Sequence, residues 1–314
     1  MTDYSMLDLP QSTRPLGIGG QVHTFNWQWQ GQSVTIAYET LGTGSPVLLL
    51  PAFSTVSTRA ELQALAAPLA DHFQVIALDW PGFGDSSRLP FDYDPSLYTQ
   101  FLQDFVGATF TAPIAIVAAG HAAGYALELA AQHPDQCSKL ALVAPTWRGP
   151  LAVMGVSPKM RTRVKNLVRS PFIGQALYAL NTRPAFLKWM YRRHVFVDET
   201  QLTPEYIQQR YQTTQQKGAR YAPAAFVTGT LDPMPTQEES LSQITQLTQP
   251  LMVIVAQQAP SASKAGMEAI AALPNVSATH LPGTLGLAEE YGSEVAIAVL
   301  PFLQTPESAR GMGS

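Results

Sequence analysis

Five short apolar runs constrain this chain more than any other feature. They are VLLLP (Val47 to Pro51), FQVIALD (Phe73 to Asp79), IAIVAA (Ile114 to Ala119), KLALVAP (Lys139 to Pro145) and PLMVIVA (Pro250 to Ala256). Val, Ile and Leu fill consecutive positions in each, so both faces of the strand have to be buried. Helix-length segments such as RAELQALAAPLADH and AGYALELAAQH separate the runs, and VSATHL (Val276 to Leu281) adds a shorter strand. This alternation predicts an α/β fold, a mostly parallel central sheet with helices on both faces. Ahead of it, HTFNWQWQ and VTIAYETLG alternate apolar with polar and predict an antiparallel hairpin joined at Gln30–Gly31–Gln32.

From Thr146 to about Thr248 the alternation stops, and a helical pattern punctuated by Pro158, Pro171, Pro184, Pro204 and Pro223 replaces it. The expected organisation is a core of residues 1–145 and 249–305, a helical cap insertion over 146–248 and a flexible tail over 306–314. Arg148 to Arg193 holds ten basic residues and no Asp or Glu. Against the chain's twenty-three acidic residues that leaves nine basic ones elsewhere, a balance of −14. Trp147, Phe172, Tyr178, Phe186, Trp189 and Tyr191 are interleaved with those cations, a pattern that suits an anionic membrane surface or an acidic protein. A solvated helix face held down by its aromatics reads the same way. The net charge of −4 gives no reason to expect nucleic acid. A single cysteine, Cys137, allows neither an internal disulfide nor a cysteine-rich zinc site. No apolar run reaches membrane-spanning length and the first residues lack the pattern of a secretory signal, so a cytoplasmic protein, peripheral to a membrane at most, is expected.

Three segments in order, LLLPAFSTVST, ALDWPGFGDSS and AIVAAGHAAGYALELAAQHPD, resemble the α/β-hydrolase family. They look like its strand-3 turn, its strand-4 Asp-x-Pro-Gly-x-Gly-x-Ser loop and its nucleophile elbow. The nearest likeness is to uncharacterised hydrolase-like proteins of cyanobacteria and chloroplasts. The resemblance implies a Ser-His-Asp triad, and each member is missing. Gly120–His121–Ala122–Ala123–Gly124 keeps the glycines of Gly-x-Ser-x-Gly but puts Ala122 at the nucleophile position, and a methyl group cannot attack a carbonyl. VAQQAPSAS places Ala259 where the acid is expected. HLPGTLGLAEE matches the base segment at Pro282–Gly283 but places Gly286, or Leu287 beside it, where the histidine belongs.

A serine changed to alanine to trap substrate explains Ala122 alone; loss of all three positions describes a pseudo-hydrolase. The oxyanion amides implied by the resemblance come from Phe53 and Ala123, since no side-chain change deletes a backbone N–H. They would hold one oxygen of a mostly apolar ligand in a pocket near His121 and Trp80, or that pocket is collapsed onto Phe53 and Trp80. The alternative is an active hydrolase with a non-standard constellation, His121 with Asp79. Asp79, Gly82 and Gly84 shape the strand-4 turn. The family's alternative acid site, here VAPTWRG, holds no carboxylate; Asp232, in GTLDPM, fits neither acid site, and His280 lies within its strand. His23, His72 and His194 lack partners at metal-ligand spacing, so no metal is expected. Nor is a cofactor: GIGGQ near Gly17 follows no buried strand and makes a poor phosphate loop.

Overall fold

The structure is a computed structural model describing residues 17–234 and 236–306. Eight strands form one sheet: β1 (Gln21–Trp29), β2 (Gln32–Leu41), β3 (Pro46–Leu50), β4 (Gln74–Leu78), β5 (Ile114–Ala119), β6 (Cys137–Val143), β7 (Leu251–Ala256) and β8 (Val276–Leu281). Their order is β1-β2-β4-β3-β5-β6-β7-β8, with β1 and β2 antiparallel and β3 to β8 mutually parallel. The predicted hairpin is present. Gln30 (φ 48°) and Gly31 (φ 75°) make its two-residue turn, while Gln32 already pairs with Trp29.

Outside residues 146–248 the described residues form six α-helices: α1 (Gln63–Leu69), α2 (Pro95–Thr109) and α3 (Ala122–Gln132) early, and α11 (Ser261–Ala271), α12 (Leu287–Glu290) and α13 (Gly292–Gln304) late. Between β6 and β7 run α4 (Pro150–Val153), α5 (Pro158–Arg169), α6 (Ile173–Asn181), α7 (Pro184–His194), α8 (Pro204–Thr214), α9 (Tyr221–Val227) and α10 (Gln237–Gln246). Pro158, Pro184 and Pro204 each open a helix, the position where a missing N–H costs nothing. Within residues 146–248, α10 differs from its neighbours: it packs on α3 and α11, in the layers covering the sheet. The excursion away from those layers therefore closes before residue 248. Most of the tail lies outside the described residues.

Residues on both faces of β3 to β7 are buried, as their unbroken apolar runs require. Lys139 of β6 is buried too. Its Nζ donates to the carbonyl oxygens of Phe302, Leu303 and Thr305 and so caps the C-terminal end of α13.

Candidate functional site

The elbow after β5 has a different register from the one its glycine spacing suggests. Gly120 carries the left-handed backbone (φ 52°), His121 follows at φ −69°, and Ala122 is the first residue of α3. The sharp turn from strand to helix is thus centred on Gly120, two residues before Ala122, and only a glycine holds that conformation without strain. Ala122 and Ala123 are fully buried helix residues, and the Ala123 N–H points back to Gly120 O at 3.3 Å. The amide expected to be free at Ala123 is used in the turn. The N–H groups of His121, directly after the turn, and of Phe53, in the loop after β3, take no hydrogen-bond partner among the described residues. A Cβ on Gly120 would sit 2.9 Å from Ala52 Cβ, so the wall opposite the turn is already in place.

The other two positions singled out by sequence are also packed. Ala259 is 9% exposed and hydrogen-bonds through its N–H to Ala256 O. Gly286 sits directly against Val195, at the end of α7. A Cβ there would run into the Val195 Cγ1 and carbonyl oxygen. Thr284, in the same loop, donates its hydroxyl to the His194 and Val195 carbonyls. Pro233 likewise fills the space beside Gly124.

His121 has a carboxylate neighbour, and it is not Asp79. The Nε2 of His121 lies 3.0 Å from Oδ1 of Asp232, with side chains 1% and 10% exposed. The approach is too oblique for an aligned hydrogen bond, and neither ring nitrogen has one. Asp232 Oδ1 instead accepts the Gly149 N–H at 2.9 Å. The imidazole is clasped edge-to-face by Phe226 of α9 (centroids 5.5 Å) and Phe53 (6.2 Å). Phe53 in turn stacks on Trp80 at 4.9 Å and meets Phe83, Tyr98 and Tyr125. Phe53, Trp80, His121 and Ala123 are all buried, so in this conformation the region near the elbow is filled by aromatics. Two open cavities of about 520 and 470 Å³ lie instead against the first strands, by Trp27 and Tyr38. Sequence reasoning missed Asp232 because no spacing rule joins it to His121; only the fold brings them together.

Asp79 belongs to a separate buried network. It accepts the Arg59 N–H (2.6 Å) and the Asp85 N–H (2.8 Å) and pairs with the Arg59 guanidinium. Burial raises its pKa above the usual carboxylate value, although the arginine pulls the other way. A Cβ on Gly84 would collide with the Asp79 carboxyl, so the strand-4 loop holds its glycine to make room for that group. Arg59 Nε also reaches Glu39 at 3.0 Å. The Glu39 carboxylate accepts the N–H groups of Ile18, Gly19 and Gly20 at 3.0, 2.8 and 2.6 Å. The GIGG segment thus forms an anion nest occupied by the chain's own carboxylate. Burial pushes the Glu39 pKa up, but those amides and Arg59 hold it below the ordinary value.

A third buried cluster ties α8 to the core. Arg210 pairs with Glu289, which also accepts the Tyr206 hydroxyl, and the Arg210 Nη1 lies 3.8 Å from Glu61. Burial, with Glu289 close by, pushes the Glu61 carboxyl well above the usual range despite Arg210. Cys137 is buried and its thiol is pushed up to about 12 by that burial. His280 pairs with Glu268 on the surface at 3.0 Å. Among the described residues no three His, Cys, Asp or Glu converge as a metal site would require.

A sequence profile of the "Alpha/beta hydrolase family" matches residues 47–288. The chain belongs to the α/β hydrolase family. Its fold is similar to that of a thermophilic esterase from Thermogutta terrifontis (TM-score 0.69, 22% identity, covering 91% of this chain and 98% of that one). It is also similar to a mutant haloalkane dehalogenase from Agrobacterium tumefaciens C58 (TM-score 0.67, 19% identity, 92% and 99% covered) and to a hydrolase from Pseudomonas aeruginosa (TM-score 0.68, 18% identity, 90% and 98% covered). No curated protein matches the sequence. These matches lend no support to a particular likeness to cyanobacterial or chloroplast proteins.

Proposed function

We propose that this chain is a non-hydrolytic member of its family, a pseudo-hydrolase whose elbow region binds rather than cleaves. One observation carries the reading: the left-handed turn residue between β5 and α3 is Gly120, which has no side chain to act as nucleophile. Ala259 and Gly286, the counterparts of acid and base by resemblance, offer no titratable group, and Val195 fills the space beside Gly286. Acyl transfer needs a nucleophile, a base and an orienting acid together. On this reading residues 146–234 form a cap whose α9 closes over the turn through Phe226, while Val195 packs on Gly286.

The buried imidazole of His121 has both nitrogens without an aligned hydrogen bond. Leaving such a group unpaired costs about 1–3 kcal/mol. A mostly apolar ligand with one oxygen, held by His121 and by the free N–H groups of His121 and Phe53, would relieve that cost once Phe226 swings away. The test is incubation of the purified protein with short-chain p-nitrophenyl esters and with a fluorophosphonate serine probe. No turnover and no labelling are expected, and Gly120→Ser does not restore them; esterase activity in the unaltered protein overturns the reading.

A second reading follows from the 3.0 Å approach of His121 to Asp232: a dyad activating water in an unorthodox hydrolase. It requires measurable hydrolysis that His121→Gln abolishes, whereas the first reading has none to abolish.

A further inference from the structure

Helices α5, α6 and α7 each expose large apolar side chains on their outward faces, on α5 and α7 among cations. Residues three and seven apart stack on one side of a helix. On α5 the exposed stripe is Met160, Arg163 and Leu167, opposite the buried Lys165. On α6 it is Ile173, Ala176 and Leu180, opposite Gly174 and Tyr178. On α7 it is Phe186, Trp189 and Arg193, opposite Leu187 and Tyr191. Phe172, between α5 and α6, is 88% exposed and sits at φ 56°. A large side chain in a left-handed backbone, directed into water, is disfavoured twice over. Trp189 is 53% exposed and Ile173 60%.

The charges carried by these three helices are all basic, and the carboxylates that meet them, Asp92 at Lys165 and Arg169 and Glu199 at Arg192, come from other segments. Arg161, Lys165 and Arg169 turn inward to the Thr228 and Gly229 carbonyls, to Asp92, and to the Pro90 and Phe91 carbonyls. Lys159, Arg163, Arg183, Lys188 and Arg193 are exposed and have no ion-pair partner among the described residues, and Arg192 pairs with the exposed Glu199. The run from 148 to 193 offers no carboxylate to neutralise them.

We propose that α5, α6 and α7 with Phe172 form a surface that docks on an anionic lipid bilayer, Phe172, Ile173 and Trp189 entering the headgroup region while the lysines and arginines meet lipid phosphates. Apolar tips ringed by unpaired cations match a surface that is negative outside and apolar beneath. A folded protein partner would match the charge but has to supply a complementary apolar groove for three separate stripes. The proposal goes beyond the loss of hydrolysis and stands or falls without it.

The full-length protein is sedimented with vesicles of phosphatidylcholine alone and of phosphatidylcholine with phosphatidylserine. Binding is expected to the second only. It should weaken as salt rises from about 0.1 M to about 1 M, which cuts the screening length from ~10 Å to ~3 Å. Arg163→Gln and Lys188→Gln should each lower the partition coefficient about five-fold. Phe172→Asp with Trp189→Glu should abolish binding while a single cooperative melt shows that the fold is kept, since Phe172 is 88% and Trp189 53% exposed. Three results overturn the proposal. They are no binding to anionic vesicles, equal binding to both vesicle types, and a dimer in solution that the Phe172 and Trp189 changes dissolve while the unaltered protein ignores lipid.

Discussion

Val195 and Gly286 share one space: the α7 end lies where a side chain on Gly286 would have to go. Replacing Gly286 by His is therefore expected to create overpacking rather than a catalytic base. The Gly286 backbone (φ −86°) tolerates any residue, so the penalty is steric, about 1–3 kcal/mol. Urea denaturation measures it. Unchanged stability with new esterase activity would show that the loop yields easily and that the base position is open.

Gly120→Ala separates strain from chemistry at the elbow. The left-handed backbone and the nearby Ala52 methyl together should lower stability by about 1–3 kcal/mol. Ala122→Gly, inside α3, should cost about 1 kcal/mol for a different reason, the entropy of a helical glycine. Thermal melts of the two variants, with Ala122→Ser as a control lacking the backbone effect, rank them.

The Glu61 cluster makes a pH prediction. A carboxyl whose folded pKa lies above its unfolded one stabilises the fold while protonated. That contribution is complete at and below the unfolded value near 4.5 and is lost as pH rises through the folded value. Glu61→Gln keeps an acceptor for the Thr58 N–H and removes the titration. The variant should gain stability on the wild type as pH increases above 5, by up to about 1.4 kcal/mol per unit while only the unfolded state ionises. Denaturation across pH 5–8 (about the range in which most folds are stable) shows whether the two curves diverge.

Arg210→Met should be costly, because it leaves Glu61 and Glu289 buried beside each other without their cation. A loss of about 3–5 kcal/mol is expected. The double variant Arg210→Met/Glu289→Gln should recover part of it, and a double-mutant cycle gives the coupling.

Cys137 should resist thiol reagents at pH 8 in the native protein and react at once in denaturant, since burial pushes its thiol up to about 12. Rapid labelling of the native protein would mean that β6 opens readily.

The sheet was legible in the sequence because strands buried on both faces leave unbroken apolar runs, as in Ile114–Ala119. The elbow was legible as a place but not in register. Glycine spacing alone marks both Gly120 and Gly124, yet only Gly120 has the positive φ; Gly124 is helical and gives room to Pro233. That Ala259 and Gly286 bear no titratable group could be read directly, whereas the packing of Val195 against Gly286 could not. The contact of His121 with Asp232 was invisible for the same reason, being made by the fold and not by any local pattern. The cation-rich stretch showed in composition, but which residues turn inward, such as Lys165, needed coordinates.

The grip of Ile18, Gly19 and Gly20 on Glu39 has a consequence for where the molecule can be trimmed. A version starting at Val22 would keep nearly all of β1, yet it would strip three donors from a sequestered carboxylate and leave Arg59 as its sole counterweight. The first secondary-structure element is thus a poor guide to the smallest piece that folds: the glycine-rich strap before it is part of the foundation under the strand-4 loop.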